Sequence, residues 1–112
     1  MPVDGTSGYS AMWIVAMFDL PTKTKEERRE YTRFRNHLLG SGYSRLQYSV
    51  YARFCINDKS AQVQARRIRA WLPPEGQVRV MELTDRQFGR MKVFWGESEF
   101  PPEKPPDQLV LF

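Results

Sequence analysis

The sequence predicts an α+β fold, a ferredoxin-like β-α-β-β-α-β sandwich with an extra C-terminal strand. Short apolar runs rich in strand-forming residues alternate with two amphipathic segments of helical length. The order strand, helix, strand pair, helix, strand is satisfied when both helices cover one face of a single sheet. At 112 residues and 41% hydrophobic composition, the chain is long enough for one core and short for two domains.

The first strand is predicted within the stretch from Met12 to Thr22, where largely apolar residues run into Asp19 and stop at Pro21. On residue type alone, Asp19 is a turn or helix-capping residue, with a metal ligand as the alternative. Magnesium is held by one or two carboxylates together with waters and substrate phosphates. A single aspartate therefore needs a second acid nearby, or the same aspartate from a two-fold mate.

The first helix is predicted to begin after Thr22 or Thr24, either of which can cap it, and to run to about Leu39. Glycines at positions 40 and 42 supply the stop signal. Its basic side chains alternate with glutamates, so a solvated face crossed by ion pairs is the ordinary interpretation. The apolar stripe that should face the sheet consists of Tyr31, Phe34 and Leu38.

Residues 43–56 form a second β-rich segment, predicted as two strands or one long, bent strand. The alternation of apolar and polar residues shifts around Tyr51, which predicts a bulge or a change of strand partner there. The Asn-Asp pair at 57–58 then caps a helix of about residues 60–72, which two prolines end. The predicted inward face of this helix contains Ala61, Ala65, Ile68 and Leu72.

The second helix is predicted to be either a phosphate-binding surface or an ordinary solvated face. No acidic residue offsets its basic side chains between Lys59 and Leu72. Arginine binds phosphate through a forked pair of donors, and nothing nearby in sequence competes for these side chains. The basic residues are Lys59, Arg66, Arg67 and Arg69.

The end of the folded region is predicted to contain two further strands. They lie at 77–83 and 91–95, and the segment 84–90 between them is a turn or a single helical turn. The second of these strands is the extra one in the predicted order.

Composition divides the chain into three segments. Residues 1–11 are small, polar and glycine-containing, which predicts a flexible leader, and residues 12–96 form the ferredoxin-like domain. Residues 97–112 are predicted to be an acidic, proline-rich connector followed by a C-terminal edge strand. The apolar residues at 109–112 should seek a sheet edge, either their own or that of a second subunit.

Charge is distributed unevenly along the chain. The net charge is +4, but residues 97–112 hold four acidic residues against one lysine. The preceding residues carry 16 basic and 9 acidic side chains, so the body of the protein is basic and its tail is acidic. A basic body indicates a polyanionic partner, and nucleic acid is the commonest soluble one.

Several other classes of protein are excluded by what the sequence lacks. The longest apolar run, at 13–18, is far below the roughly 20 residues of a membrane span, and no signal segment precedes it. A cytoplasmic protein without a membrane partner is therefore expected. Cys55 is the only cysteine, which leaves neither an internal disulfide nor a zinc-ligand set. No glycine-rich phosphate loop, nucleophile elbow or zinc-protease motif occurs.

Three segments together resemble the second universal CRISPR-associated protein family, the small dimeric partner of the spacer integrase. They are Met-Phe-Asp-Leu-Pro-Thr at 17–22, Glu-Glu-Arg-Arg-Glu-Tyr at 26–31 and Gln-Tyr-Ser-Val-Tyr at 47–51, followed by a late Phe-x-x-Met. The resemblance covers about residues 12–96 and looks most like the branch that accompanies type II, single-effector systems. The Asp-x-Pro motif alone is weak evidence for this family, whereas its combination with Gln-x-Ser-Val at this separation, on a ferredoxin-like layout, is fairly specific to the family.

The resemblance implies a symmetric homodimer in which each C-terminal strand crosses to the sheet of the other subunit. It also implies that Asp19 sits near the dimer axis, facing its mate, where Mg²⁺ supports phosphodiester cleavage. The family's basic residues match here at Arg28 or Arg29 and at Arg45, and its aromatic residue matches at Tyr51. Their implied roles are contact with the nucleic-acid backbone or stabilisation of transition-state charge. The leader departs from the family, whose chains usually start just before the first strand.

Two functions are compatible with these residues. In the first, which we favour, the protein is a dimeric adaptor that binds duplex DNA and bridges integrase dimers during spacer acquisition, with magnesium-dependent cleavage of RNA or DNA as an additional property. In the second, it is a metal-dependent endoribonuclease or deoxyribonuclease that acts in its own right through paired Asp19. One carboxylate per subunit without an evident general base is a minimal set of catalytic groups, whereas a basic dimer is well suited to holding DNA.

Overall fold

The described part of the chain, residues 11–96 in a computed structural model, contains four strands and three helices. The strands form one antiparallel sheet, in which the first strand lies between the third and the fourth, and the second pairs with the third at the edge. This arrangement confirms the predicted α+β, ferredoxin-like fold. The elements are β1 (Met12–Asp19), α1 (Lys25–Gly40), β2 (Ser44–Gln47), β3 (Val50–Cys55), α2 (Asp58–Trp71), β4 (Gln77–Thr84) and α3 (Asp85–Gly89), and the sheet order is β2-β3-β1-β4.

Strand β1 lies in the middle of the sheet and is covered on both faces, as the sequence predicts. It pairs with β3 on one side and with β4 on the other. Side chains alternate along a strand, so Ile14, Ala16 and Phe18 point into the core beneath the helices. Trp13 and Val15 point to the opposite side, where they pack with Ala52 and Phe88. We call this opposite side the open face.

Helix α1 begins and ends close to the predicted positions. The Thr24 side chain accepts a hydrogen bond from the backbone of Glu27, whose carboxylate accepts from the Thr24 N–H in return. This reciprocal capping satisfies two of the N–H groups that a helix start leaves unpaired. The predicted stripe is confirmed, since Phe34 and Leu38 are fully buried and Tyr31 packs at the edge of the same cluster.

Helix α2 is capped by the Asn57 side chain, which accepts from the Ser60 N–H at 2.8 Å. One predicted inward residue is wrong: Leu72 follows the last helical residue in extended backbone and remains 45% exposed. The prolines after it stop the helix one residue too early for Leu72 to reach the core. The buried position that the sequence pattern missed belongs to Gln64, which accepts a hydrogen bond from the Tyr43 hydroxyl at 3.3 Å.

Residues 44–55 form two strands, one of the two predicted alternatives. The β2–β3 ladder shifts register between the pair Arg45–Tyr51 and the pair Gln47–Val50, which confirms the irregularity predicted around Tyr51 and places the extra residue on β2. On its other side Tyr51 pairs regularly with Ala16 of β1, so the shift is confined to the ladder with β2, the edge strand of the described sheet. The two-residue turn contains Ser49 at a φ of 59°, in the left-handed region.

The short helix α3 confirms the predicted helical turn after β4, but the strand predicted at 91–95 is wrong. Residues 91–96 have no regular secondary structure. The ring of Phe88 stacks on Trp13 with centroids 4.0 Å apart, which turns the chain onto the open face. The apolar side chains that follow line a groove above the sheet instead of pairing with its edge.

The predicted leader, apart from Ala11, lies outside the described residues, as do the predicted connector and C-terminal edge strand at 97–112. Among residues 11–96, none of the helices combines the length and the apolar character that a membrane span requires.

Candidate nucleic-acid interface

Asp19 is the last residue of β1 and is exposed to solvent. It lies opposite Gln77 of β4 and shares the open face with Val15 and Met17, because side chains alternate along the strand. Thr24, and not Asp19, caps the following helix. Within residues 11–96 no donor hydrogen-bonds to the Asp19 side chain, so its carboxylate is available to a ligand.

A close approach of two loops positions Asp19. Gly76, just before β4, has a φ of +101°, a conformation that side chains other than glycine rarely adopt. A Cβ atom at Gly76 would lie 2.9 Å from the backbone oxygen of Asp19 and 2.7 Å from a methyl carbon of Leu20. Leu20 is itself buried, so the turn after Asp19 is anchored in the core.

Among residues 11–96, Asp19 is a metal-ligand candidate outside any larger ligand cluster. No group of three or more histidine, cysteine, aspartate or glutamate side chains in the described region could hold an ion. Magnesium accepts one or two carboxylates when waters and phosphates complete its shell. The residues present therefore fit Mg²⁺ in two ways: one Asp19 carboxylate completed by waters and phosphates, or two carboxylates when a second copy of the chain supplies the other.

The arginines of α1 lie near the same end of the sheet, since α1 begins shortly after β1 ends. The Arg28 guanidinium donates to the carbonyl oxygens of Thr22 at 3.2 Å and Lys23 at 2.9 Å, and so fixes the loop that leads into the helix. Arg29 forms an exposed ion pair with Glu26 at 3.5 Å. An exposed pair of this kind contributes little to stability, so Arg29 can exchange its partner for a phosphate.

Arg45 and Tyr51 are neighbours across the β2–β3 ladder. The Tyr51 ring is 3% exposed and stacks on Phe18 with centroids 5.7 Å apart, so neither of its faces is free for a base. Burial raises the pKa of Tyr51, and the positive charges of Arg35 and Arg45 oppose that rise. The structure thus buries the Tyr51 ring in the core beneath the helices, with the positive charges of Arg35 and Arg45 nearby.

An aromatic pair that the sequence did not single out lies beside these residues. Tyr48, in the turn between β2 and β3, stacks on Tyr31 of α1 with the ring planes 19° apart. The Tyr31 hydroxyl and the Ser49 Oγ share a hydrogen bond of 3.1 Å. The only sequence signal was an aromatic residue inside the Gln-Tyr-Ser-Val element, and the helix that supports it is distant in sequence.

The basic side chains of α2 are exposed and form an unneutralised surface. Among the described residues the ion pairs involve only α1 arginines, so no α2 cation has a carboxylate within ion-pair distance, and the one acid of the helix, Asp58, lies in its first turn. Positions 59, 66 and 69 recur at helical spacing and lie along one side of α2. We call this surface the basic face, and it consists of Lys59, Arg66, Arg67 and Arg69.

The open face carries an apolar groove of about 410 Å³. It is bounded by the sheet, by α3 and by the segment after α3, and large side chains along it remain exposed. Contiguous apolar surface of this kind is typical of sites that contact a protein, a membrane or a ligand. The lining residues include Val15, Met17, Leu46, Val50, Met81 and Phe94.

The fold and surfaces of residues 11–96 define a class: a small ferredoxin-like domain with a basic helical face, a partly covered apolar sheet face and an exposed carboxylate at a strand end. The family model described as "CRISPR associated protein Cas2" matches residues 12–91. The chain belongs to the Cas2 family of CRISPR-associated proteins.

Similar proteins bear names of the same family. The chain is 48% identical to the "CRISPR-associated endoribonuclease Cas2" of Parvibaculum lavamentivorans over 101 residues, which cover 90% of this chain and 100% of the relative. It is 45% identical to the protein of that name from Flavobacterium psychrophilum over 104 residues, which cover 93% of this chain and 90% of the relative.

Proposed function

We propose that the protein acts in CRISPR adaptation as a homodimer that binds duplex DNA and bridges integrase dimers during spacer acquisition. The observation that carries this proposal is the basic face of α2, where four cations lie exposed without a carboxylate partner in the described structure. Arginine and lysine arrayed along a helix neutralise successive phosphates without reading base sequence. Such binding suits a protein that must hold DNA of any sequence.

The open face supports the homodimer. Its apolar groove leaves large side chains such as Met81 and Phe94 exposed, and a second copy of the same sheet face would cover it in a self-complementary way. Asp19 lies on the open face at a strand end, so a two-fold axis through such an interface can bring two Asp19 carboxylates together. The dimer and the paired carboxylates thus depend on the same surface.

Neutralising the basic face tests the DNA-binding part of the proposal. A variant with Arg66→Gln, Arg67→Gln and Arg69→Gln should bind duplex DNA more weakly. The slope of log affinity against log salt should become shallower by about 0.9 for each phosphate that the variant no longer neutralises. Arg86→Gln, on the opposite side of the sheet, is the control for a change in net charge. An unaltered slope in the triple variant would place the DNA elsewhere.

A second candidate function is metal-dependent cleavage of RNA, and it is favoured by the word endoribonuclease in the names of the relatives. In this function the paired Asp19 carboxylates hold Mg²⁺, which supplies a polarised phosphate and an activated water when bound. Arg29 and Arg45 neutralise charge on the phosphate that is cleaved. Arg28 holds the loop between Asp19 and α1 in place.

Asp19→Asn separates the two functions. It removes the charge that binds the metal and preserves the size of the side chain, so magnesium-dependent cleavage of RNA or DNA by purified protein should fall to background. The dimer should persist in sedimentation, and spacer acquisition with the integrase should continue. Unchanged cleavage would remove Asp19 from the chemistry, while loss of acquisition with an intact complex would contradict the adaptor function.

A further inference from the structure

Tyr48 is a large aromatic side chain that the fold leaves in solvent. It is 68% exposed, although it lies in a tight turn between two strands of the sheet. Its ring lies nearly parallel to that of Tyr31, with centroids 6.2 Å apart. One face of the Tyr48 ring is therefore supported by α1, and the opposite face is open.

The turn that presents Tyr48 is held in a strained conformation. Ser49 has a φ of 59°, which costs a residue other than glycine about 1 kcal/mol. Its carbonyl accepts from the Phe18 N–H at 3.0 Å, and its hydroxyl bonds the hydroxyl of Tyr31. These bonds tie the turn to β1 and to α1 at once. Tyr48 is thus presented by rigid elements, at the end of the sheet that holds Asp19.

Arg45 lies three residues before Tyr48, opposite Tyr51 across the β2–β3 ladder, so a positive charge lies close to the exposed ring. Hydrogen bonding to Tyr31 raises the pKa of Tyr48, and the nearby Arg45 opposes that rise. The hydroxyl therefore stays neutral near pH 7 and does not repel a phosphate. Arg45 itself has no carboxylate partner in the part of the chain that the structure describes.

We propose that Tyr48, backed by Tyr31 and flanked by Arg45, is a stacking platform for an unpaired base of a single-stranded nucleic acid. The inference rests on the proposed nucleic-acid binding and adds a feature of the substrate, an unpaired strand beside the Asp19 end of the sheet. Every base has a face that can stack on an aromatic ring, and stacking does not read the sugar. RNA and DNA strands should therefore bind alike, whereas the bases of a duplex are covered by their neighbours.

The experiment compares single strands with a duplex on the full-length protein. Fluorescence anisotropy with labelled oligouridylate, oligothymidylate and a DNA duplex gives the three affinities. Tyr48→Ala should weaken binding of both single strands by about 5- to 150-fold, the equivalent of roughly 1–3 kcal/mol for one stacked base. Tyr48→Phe keeps the ring and should stay within about twofold of wild type. Duplex affinity should be the same in all three proteins.

Three results would overturn the platform. One is single-strand affinity in Tyr48→Ala equal to wild type, and another is an equal loss for single strands and duplex, which indicates a general effect on charge or folding. The third is a wild-type protein that binds the duplex but no single strand. That last result leaves the proposed duplex-binding function standing, because the basic-face substitutions test it separately. Circular dichroism of each variant shows that the fold is retained.

Discussion

At the scale of single residues, Gly76 and Asp19 form one structural unit. Gly76 combines a positive φ with contact to the Asp19 backbone, so two separate constraints exclude a side chain there. The position of the Asp19 carboxylate thus depends on a glycine that is far away in sequence and has no reactive side chain. Functional residues on strand ends need such support, because a loop alone does not fix their position.

Gly76→Ala should therefore destabilise the protein by about 1–3 kcal/mol, from backbone strain and from displacement of the Asp19 turn. Urea unfolding followed by circular dichroism measures this change. Gly40→Ala is the matched control, because a Cβ there meets no atom within 4 Å and alanine is the better helix former. Equal stability of the Gly76 variant and wild type would show that the two loops are not in close contact.

Cys55 is the second residue whose surroundings determine its chemistry. Burial raises the pKa of the Cys55 thiol, although the nearby Arg53 opposes this. The thiolate is the reactive form, so iodoacetamide at neutral pH should modify the folded protein far more slowly than the urea-unfolded protein. Mass spectrometry of timed samples provides the measurement, and equal rates would show that the site opens readily.

At the scale of elements, the contact between the start of β2 and helix α2 depends on one buried polar pair. The Tyr43 hydroxyl donates to the Gln64 side chain between these elements. Burial raises the pKa of Tyr43 well above 10, so the folded protein retains this proton where the unfolded chain loses it. Removing one partner of such a buried hydrogen bond lowers the free energy of unfolding, because the other polar group stays buried without a partner.

The free energy of unfolding should be largest below pH 10 and should fall as the pH rises further, because the raised pKa belongs to the folded state. Tyr43→Phe should reduce this pH dependence and should cost about 1–3 kcal/mol at pH 7 by leaving Gln64 without its donor. Urea unfolding at several pH values measures both effects. The pair Tyr43→Phe with Gln64→Leu should recover part of the loss. A Tyr43→Phe protein with the alkaline slope of wild type would contradict this assignment.

At the scale of the whole molecule, the two sides of the sheet differ in what covers them. Helices α1 and α2 cover one side, whereas the open face is only partly covered by α3 and the segment after it. Neighbouring residues of β4 lie on these two sides: Val80 is opposite Ala16 on the helix side, and Met81 is opposite Val15 on the open face.

Met81→Lys should weaken the proposed homodimer, because it places a charge in the apolar groove. Val80→Lys is the matched control: it changes the adjacent residue of the same strand on the other side of the sheet. The two residues are 42% and 39% exposed, so neither substitution should unfold the domain. Sedimentation equilibrium gives the dissociation constant of each protein. Equal effects of the two substitutions would exclude the open face as the dimer surface.

Much of the fold is predictable because its signals are local. The cap at Thr24, the cap at Asn57 and the apolar run of β1 each lie within a few residues of the feature they specify. The apolar run at 91–95 has the composition of a strand, but composition does not say which surface covers it. The stacking of Phe88 on Trp13 determines which surface this segment covers, and the spacing of residues in the sequence does not reveal that contact.

The candidate site is predictable only in part, for the same reason. Asp19 is visible from the Leu-Pro that follows it, and the basic residues of α2 are visible from the absence of acids between Lys59 and Leu72. The platform at Tyr48 is not visible, because it depends on Tyr31 and on the strained turn at Ser49, which meet only when α1 folds over the hairpin. Contacts of this kind require the three-dimensional arrangement.

The central position of β1 also has a consequence for the order of events during synthesis. Met12 pairs with Cys55 on one side and with Thr84 on the other. The first of the described strands to be synthesised therefore gains its second neighbour only when the last of them is complete. Until β4 has left the ribosome, one edge of the apolar first strand stays unpaired and open to other nascent chains. The sheet therefore closes late and through distant contacts, which slows folding relative to a helical protein of equal length.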